Sequence, residues 1–365
     1  MDSGKSSLSL ANAKMNAAES LRAQGRFKEA EPCYLTALRI CEKELGPDDR
    51  MVGEISIRLG NLLVNVGRYE ESLKVLNRAL QIYRNSDGQR STNVGRVIFR
   101  IGDALLWQGR PEEALVKLED ALSILKETVG ERHYRVGDVL TDKGICFRRL
   151  GLLADARAVN EEALEIFRKE CGDDSHNVAN ILGNLGNIFS DLRMYAEARA
   201  NHEEALGIHR RVHGERHPSV ANSFMNIARI LHEQGQQLEE ACKMHQKALK
   251  IRRRALGDEH IDCAECLMHL GNDHGLLGNH DEAMSSYLQA LAIYTRLLGN
   301  DNERSAYVHH KIAMQAAVSG DVEGALQHAQ DSVGIYVRLS LTGTEDGVLA
   351  AGLLKRLEGG DAGPA

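Results

Sequence analysis

One feature constrains this chain more than any other: an internal period of 42 residues. A glycine recurs in AQGRFKEA, NVGRYEES, WQGRPEEA and RLGLLADA, at Gly25, Gly67, Gly109 and Gly151. The next copy, DLRMYAEA, carries Arg193 at that place. Gly235 continues the series, and after one inserted residue Gly278 and Gly320 follow. Eight copies result, over roughly residues 8–340. Seven residues before the glycine column stand Ala18, Gly60, Gly102, Gly144, Gly186, Ala228, Gly271 and Ala313. A second small column runs through Ala30, Ser72, Ala114, Ala156, Ala198, Ala241, Ala283 and Ala325. A third, seven residues on, is followed by Leu or Val and then by Ile three positions on, as in Ala79-Leu80-Gln81-Ile82. Spacings of three, four and seven define one face of a helix. Small residues on that face let two helices approach closely, and Leu and Ile fill the space between pairs.

Each copy therefore reads as a helix, a tight turn at the glycine, and a second helix. One pair cannot bury its apolar face alone, so stacked pairs must share one continuous core. The expected architecture is all-α, a right-handed superhelical solenoid of about eight helix pairs with a short C-terminal capping helix. Length alone would suggest two or three domains; the period replaces that with one array. Composition agrees, with 5 prolines and 4% aromatic residues, too few for a β-sandwich or barrel. Pro111 and Pro218 sit at predicted first-turn positions, where a missing N–H costs nothing. Basic residues such as Arg84, Lys126 and Arg210 close the second helices. Glycines 46, 130, 172, 214, 257 and 299 follow as expected left-handed caps. Residues 1–7 are expected to form a flexible N-terminus, 8–340 the solenoid, and 341–365 a capping helix opened by Thr344 plus a mobile tail.

Small columns, large aliphatics and a helix–turn–helix unit resemble the tetratricopeptide repeat, whose ordinary period is about 34 residues. The longer period adds roughly 12 Å of helix per pair at 1.5 Å per residue. This version resembles the kinesin light chain subtype. The likeness rests on GRYEES…RALQIY at 67–83, GIHRRVHGERHPSVANSFMNIA at 207–228, GRFKEAEPCYLTALRI at 25–40 and ALGDEHIDCA at 255–264, with a repeated histidine at His133, His217 and His260. The resemblance implies a non-catalytic protein–protein interaction scaffold that binds an extended peptide or partner helix in a concave groove lined by the first helices. Kinesin light chains carry a heptad coiled coil before their repeats. Here the repeats begin by about residue 10, so a stand-alone adaptor is expected, with a kinesin light chain-like cargo adaptor of a microtubule motor as the alternative. Alternatives from other classes are a self-associating structural solenoid and a metal-binding protein.

Carrying the groove-facing positions onto this chain singles out three consecutive first helices. Asn180, Asn184 and Asn187 fall at i, i+4 and i+7, on one helix face. Asn222, Asn226 and Arg229 repeat the pattern, and Glu265, His269 and Asn272 follow. A primary amide both donates and accepts, so it can bracket a peptide backbone. An arginine among amides can take a carboxylate. The lysines of a carboxylate clamp are not there: Gly183, Met225 and Met268 stand in their places.

Other chemistry is weaker. His260, Cys263, Cys266 and His269 are spaced like metal ligands, but on a helix they spread over half the cylinder, so no metal is expected there. His209 and His213 read as surface histidines, and Lys250–Arg254 as a helix-end cation cluster. GKSS at 4–7 lacks the upstream glycine of a phosphate loop. No catalytic constellation or cofactor site is expected. A net charge of −7 gives no pull toward nucleic acid. The N-terminus MDSGKSSLSL reads as no secretory signal, no segment reads as membrane-spanning, and seven dispersed cysteines suit a reducing compartment. A cytoplasmic location is expected.

Overall fold

A computed structural model describes residues 2–235 and 237–359. All the regular structure among them is helical. The chain divides into two compact units, Met1–Leu192 and Arg193–Ala365. The first unit holds α1 (Asp2–Ala23), α2 (Phe27–Leu45), α3 (Arg50–Asn65), α4 (Tyr69–Asp87), α5 (Thr92–Trp107), α6 (Pro111–Val129), α7 (Tyr134–Arg149), α8 (Leu153–Cys171) and α9 (His176–Asp191). The second holds α10 (Tyr195–His213), α11 (Pro218–Gln234), α12 (Leu238–Leu256), α13 (Ile261–Leu276), α14 (His280–Leu298), α15 (Glu303–Ser319), α16 (Val322–Arg338) and α17 (Glu345–Glu358). The helix α1 begins at Asp2 rather than at the expected residue 8. The expected mobile tail at 360–365 lies outside the described residues.

A 16-residue first helix and a 19-residue second helix, as in α3 and α4, joined by short turns, account for the 42-residue period. Among the described residues, six of the eight hairpin turns close by a bond that spans six residues, the Schellman pattern. In the second copy Arg68 N–H donates to Leu63 C=O at 2.9 Å and Gly67 has φ +76°. Arg193 adopts φ +58° at the same place in the fifth copy.

The links between hairpins differ from expectation. The glycines that end the second helices are not left-handed caps: they take φ of 79° to 97° with ψ of 155° to 175°. That is the mirror image of extended backbone, a region open essentially to glycine alone. It lets Gly46 N–H bond back to Glu42 C=O at 3.1 Å while the chain swings out toward the next first helix. The following helix is then capped by one repeated position, 49, 91, 133, 175, 217, 260 and 302, filled by Asp, Ser, His, Ser, His, His and Asn. Each side chain accepts a backbone N–H two or three residues on. The repeated histidine thus serves as an N-cap. Thr344 caps α17 in the same way. The apolar face of α17, Leu353 and Leu357, covers Ala313, Ala316, Ala325 and Ala329 of the last hairpin.

Packing within a hairpin explains the small-residue column. A Cβ placed on Gly60 would lie 2.8 Å from Leu76, and one on Gly102 would lie 2.9 Å from Leu118. Gly102→Ala is expected to cost about 1–3 kcal/mol through overpacking. Gly183→Ala, where a Cβ meets nothing within 4 Å, should instead gain about 0.5–1 kcal/mol from helix propensity. Urea denaturation of both variants checks the pair. By the same measurement, Arg193→Gly should gain about 1 kcal/mol by relieving a left-handed non-glycine residue.

Candidate functional site

In the first unit the first helices lie side by side, and their polar faces make a continuous strip. Arg58 bridges Glu19 of α1 at 3.1 Å and Glu54 of its own helix at 3.0 Å, and Arg96 of α5 reaches Glu54 at 3.3 Å. Charge then stops balancing. A cavity of about 230 Å³ is lined by Asp103 of α5, Asp138 and Asp142 of α7, Asn180 of α9, Arg100 and Phe99, among others. Arg100 lies 3.8 Å from Asp103. Burial pushes the Asp103 and Asp138 carboxyls up against the pull of Arg100. Burial, then repulsion from Asp103, pushes Asp142 well up.

In the second unit a cavity of about 370 Å³ opens between α11 and α13, lined by Asn222, Met225, Asn226, Arg229, Arg252, Glu265 and His269. Its floor is Arg252, which reaches in from the second helix α12 and is 5% exposed. Its Nη1 donates to Asp262 C=O at 2.8 Å and to Glu265 Oε2 at 3.0 Å, and its Nη2 donates to Asn222 Oδ1 at 3.0 Å. These bonds fix Asn222 and Glu265 on neighbouring first helices. One wall is His269, stacked on His245 with ring centroids 5.2 Å apart. Below it, Asp273 is fully buried and accepts from His245 Nδ1 at 2.6 Å and His232 Nδ1 at 2.7 Å. Burial alone would raise the Asp273 carboxyl; the two histidine bonds outweigh it and hold the group below its usual range.

The expected groove residues therefore separate. Asn222, Asn226, Arg229 and His269 share one cavity. Asn180 lines the cavity of the first unit, with Asn184 and Asn187 further along α9. Asn272 is turned inward and accepts the Tyr287 hydroxyl at 2.8 Å. The metal-like spacing dissolves: His260 caps α13, the Cys263 thiol donates to Gly257 C=O, and Cys266 meets Arg252 and Met225. His209, expected at the surface, is buried. The cation run splits, because Arg252 is core while Arg253 pairs with Asp258 at 3.3 Å. Column alignment carried that signal: Arg252 falls in the core column of Tyr83, Leu125, Phe167 and Tyr294.

The tetratricopeptide repeat family model matches residues 9–85, 93–169, 135–208, 177–239 and 236–296. The chain belongs to the tetratricopeptide repeat family. Comparison with curated proteins by sequence found no match. Among solved structures, BtubC (BKLC) from P. vanneervenii is 23% identical, with 63% of this chain and 92% of that one covered and a TM-score of 0.55. The apo form of RapI is 16% identical over 79% of this chain and 98% of that one, at 0.58. A signal transduction ATPase with a tetratricopeptide repeat sensor, from Pyrococcus horikoshii, is 14% identical over 95% of this chain, at 0.64; this chain spans half of its length. These likenesses show the fold, an all-α tetratricopeptide solenoid. Repeats of this family generally mediate protein–protein interaction. No helix among the described residues is long and apolar enough to cross a membrane.

Two desolvated histidines, His202 in the core and the half-buried His269, set a pH dependence. Burial and the Arg229 charge push His202 down to about 4, and burial and His245 push His269 down to about 4. Unfolded imidazoles titrate near 6.5. Between those values the unfolded chain binds more protons, so stability falls as pH drops from about 6.5 toward 4. His202→Leu, the residue of the second and third copies in that column, should flatten the decline. Urea denaturation at about pH 7 and about pH 4.5 measures it.

Proposed function

We propose that this chain is a non-catalytic adaptor that holds an extended peptide along the first-helix face of its second unit. One observation carries the reading: Asn222, Asn226, Arg229 and His269, from two successive first helices, line one cavity whose floor is the buried guanidinium of Arg252. Amides one repeat apart suit a peptide backbone, which presents alternating donors and acceptors whatever its side chains. Arg229, on the cavity wall and paired with Glu233 of its own helix at 3.5 Å, brings a guanidinium that can exchange that partner for a peptide carboxylate. The bonds from Arg252 to Asn222 and Glu265 preorganise the surface, which lowers the ordering cost of binding. Protein partners, with neither nucleic acid nor membrane insertion, and a cytoplasmic setting complete the proposal.

The test is peptide display against the full chain. Enriched peptides should bind the wild type and weaken at least about tenfold, or about 1.4 kcal/mol, on the Asn226→Ala/Arg229→Ala variant at unchanged helical circular dichroism. Equal affinity for both proteins would overturn the assignment.

A further inference from the structure

The last complete hairpin carries a cluster that the groove does not use. His309 projects from α15, and His328 and Asp331 project three residues apart from one face of α16. His309 Nδ1 and His328 Nδ1 face each other at 2.9 Å, and Asp331 Oδ2 lies 3.9 Å from His309 Nδ1. One ligand atom from each of the three falls within 4.8 Å of the others.

We propose that His309, His328 and Asp331 bind a divalent late transition metal ion, of the zinc, nickel or copper class. At metal–ligand bonds of about 2.0–2.1 Å, a 2.9 Å separation subtends about 90° at the ion and 3.9 Å about 140°. Two imidazoles and one carboxylate can thus take three positions around one ion and leave the rest to water. Nitrogen donors select this class over magnesium or calcium, which want oxygen. Burial, and after it the neighbouring His328 ring, lowers His309, and burial lowers His328. Gln327 Nε2 donates to Asp331 Oδ1 at 3.3 Å, which orients the carboxylate and leaves Oδ2 toward the histidines. Asp331 is 42% exposed and His309 16%, so an ion reaches the site from solvent. Close packing of Ala313 and Ala316 against Ala325 and Ala329 fixes the two helices that supply the ligands.

The experiment titrates the chelator-stripped full chain with zinc and with nickel by calorimetry, and records copper EPR. Wild type should bind with a dissociation constant tighter than about 100 μM. The His309→Ala/His328→Ala variant should lose one equivalent per chain and the hyperfine pattern of two imidazole nitrogens. Asp331→Asn, at a half-exposed position, should weaken that equivalent at least about tenfold, and it carries the test if the double variant misfolds. His133→Asn, which removes a distant histidine and keeps a capping side chain, should change nothing. No saturable binding by wild type, or unchanged stoichiometry and affinity in the double and Asp331 variants, would overturn the site.

Discussion

The structure depends on a steric pairing repeated along the chain. A small residue on each first helix faces a larger one on the second: Ala18 with Tyr34, Gly60 with Leu76, Gly102 with Leu118, Gly271 with Tyr287. Because the glycines leave no room for a Cβ at the first-helix side, the two backbones approach closely and the large side chain seals the gap. Helix lengths, turns and caps then follow, since any change in register would carry the small residue off that face. Gly53 against Tyr83 and Gly137 against Phe167 repeat the device within single hairpins, at the end away from the turn.

Polar residues enter the same core columns only in the later copies. The large position becomes Asn160, His202 and His245, and neighbouring buried columns hold Arg252 and Asp273. A buried polar group costs free energy unless it finds partners. Here Asn160 donates to Ala156 C=O, His245 and His232 share Asp273, and Arg252 binds across to α13. The second helices thereby shape a cavity on the face that the first helices present. The residues that make this part of the array distinctive are second-helix core residues, not only the exposed asparagines.

What was legible in the sequence follows from what a period can encode. Pro111, Pro218 and Thr344 sit at helix starts as spacing predicts, because capping is local chemistry. The backbone shape at Gly46 was not legible, since glycine permits both the left-handed and the mirror-extended region and the direction of the next helix decides. Arg252 was misread because a run of charges in one dimension hides which member faces the core. Asn272 was placed on the right face but met Tyr287, a contact fixed by the next helix. Asp103, Asp138 and Asp142 converge because stacking brings α5 and α7 into contact, and their convergence needed two copies to be overlaid rather than one to be read.

The capping and packing described above also bear on how the chain reaches its fold. Within each unit, the substantial contacts join helices that are adjacent or next but one in the sequence. Loops to be closed are therefore short, which makes formation of each hairpin entropically inexpensive and rapid. Order can begin at any hairpin and spread to its neighbours, each new pair gaining the interface of the last. An array built this way tolerates a weakened copy in its interior by losing cooperativity there first.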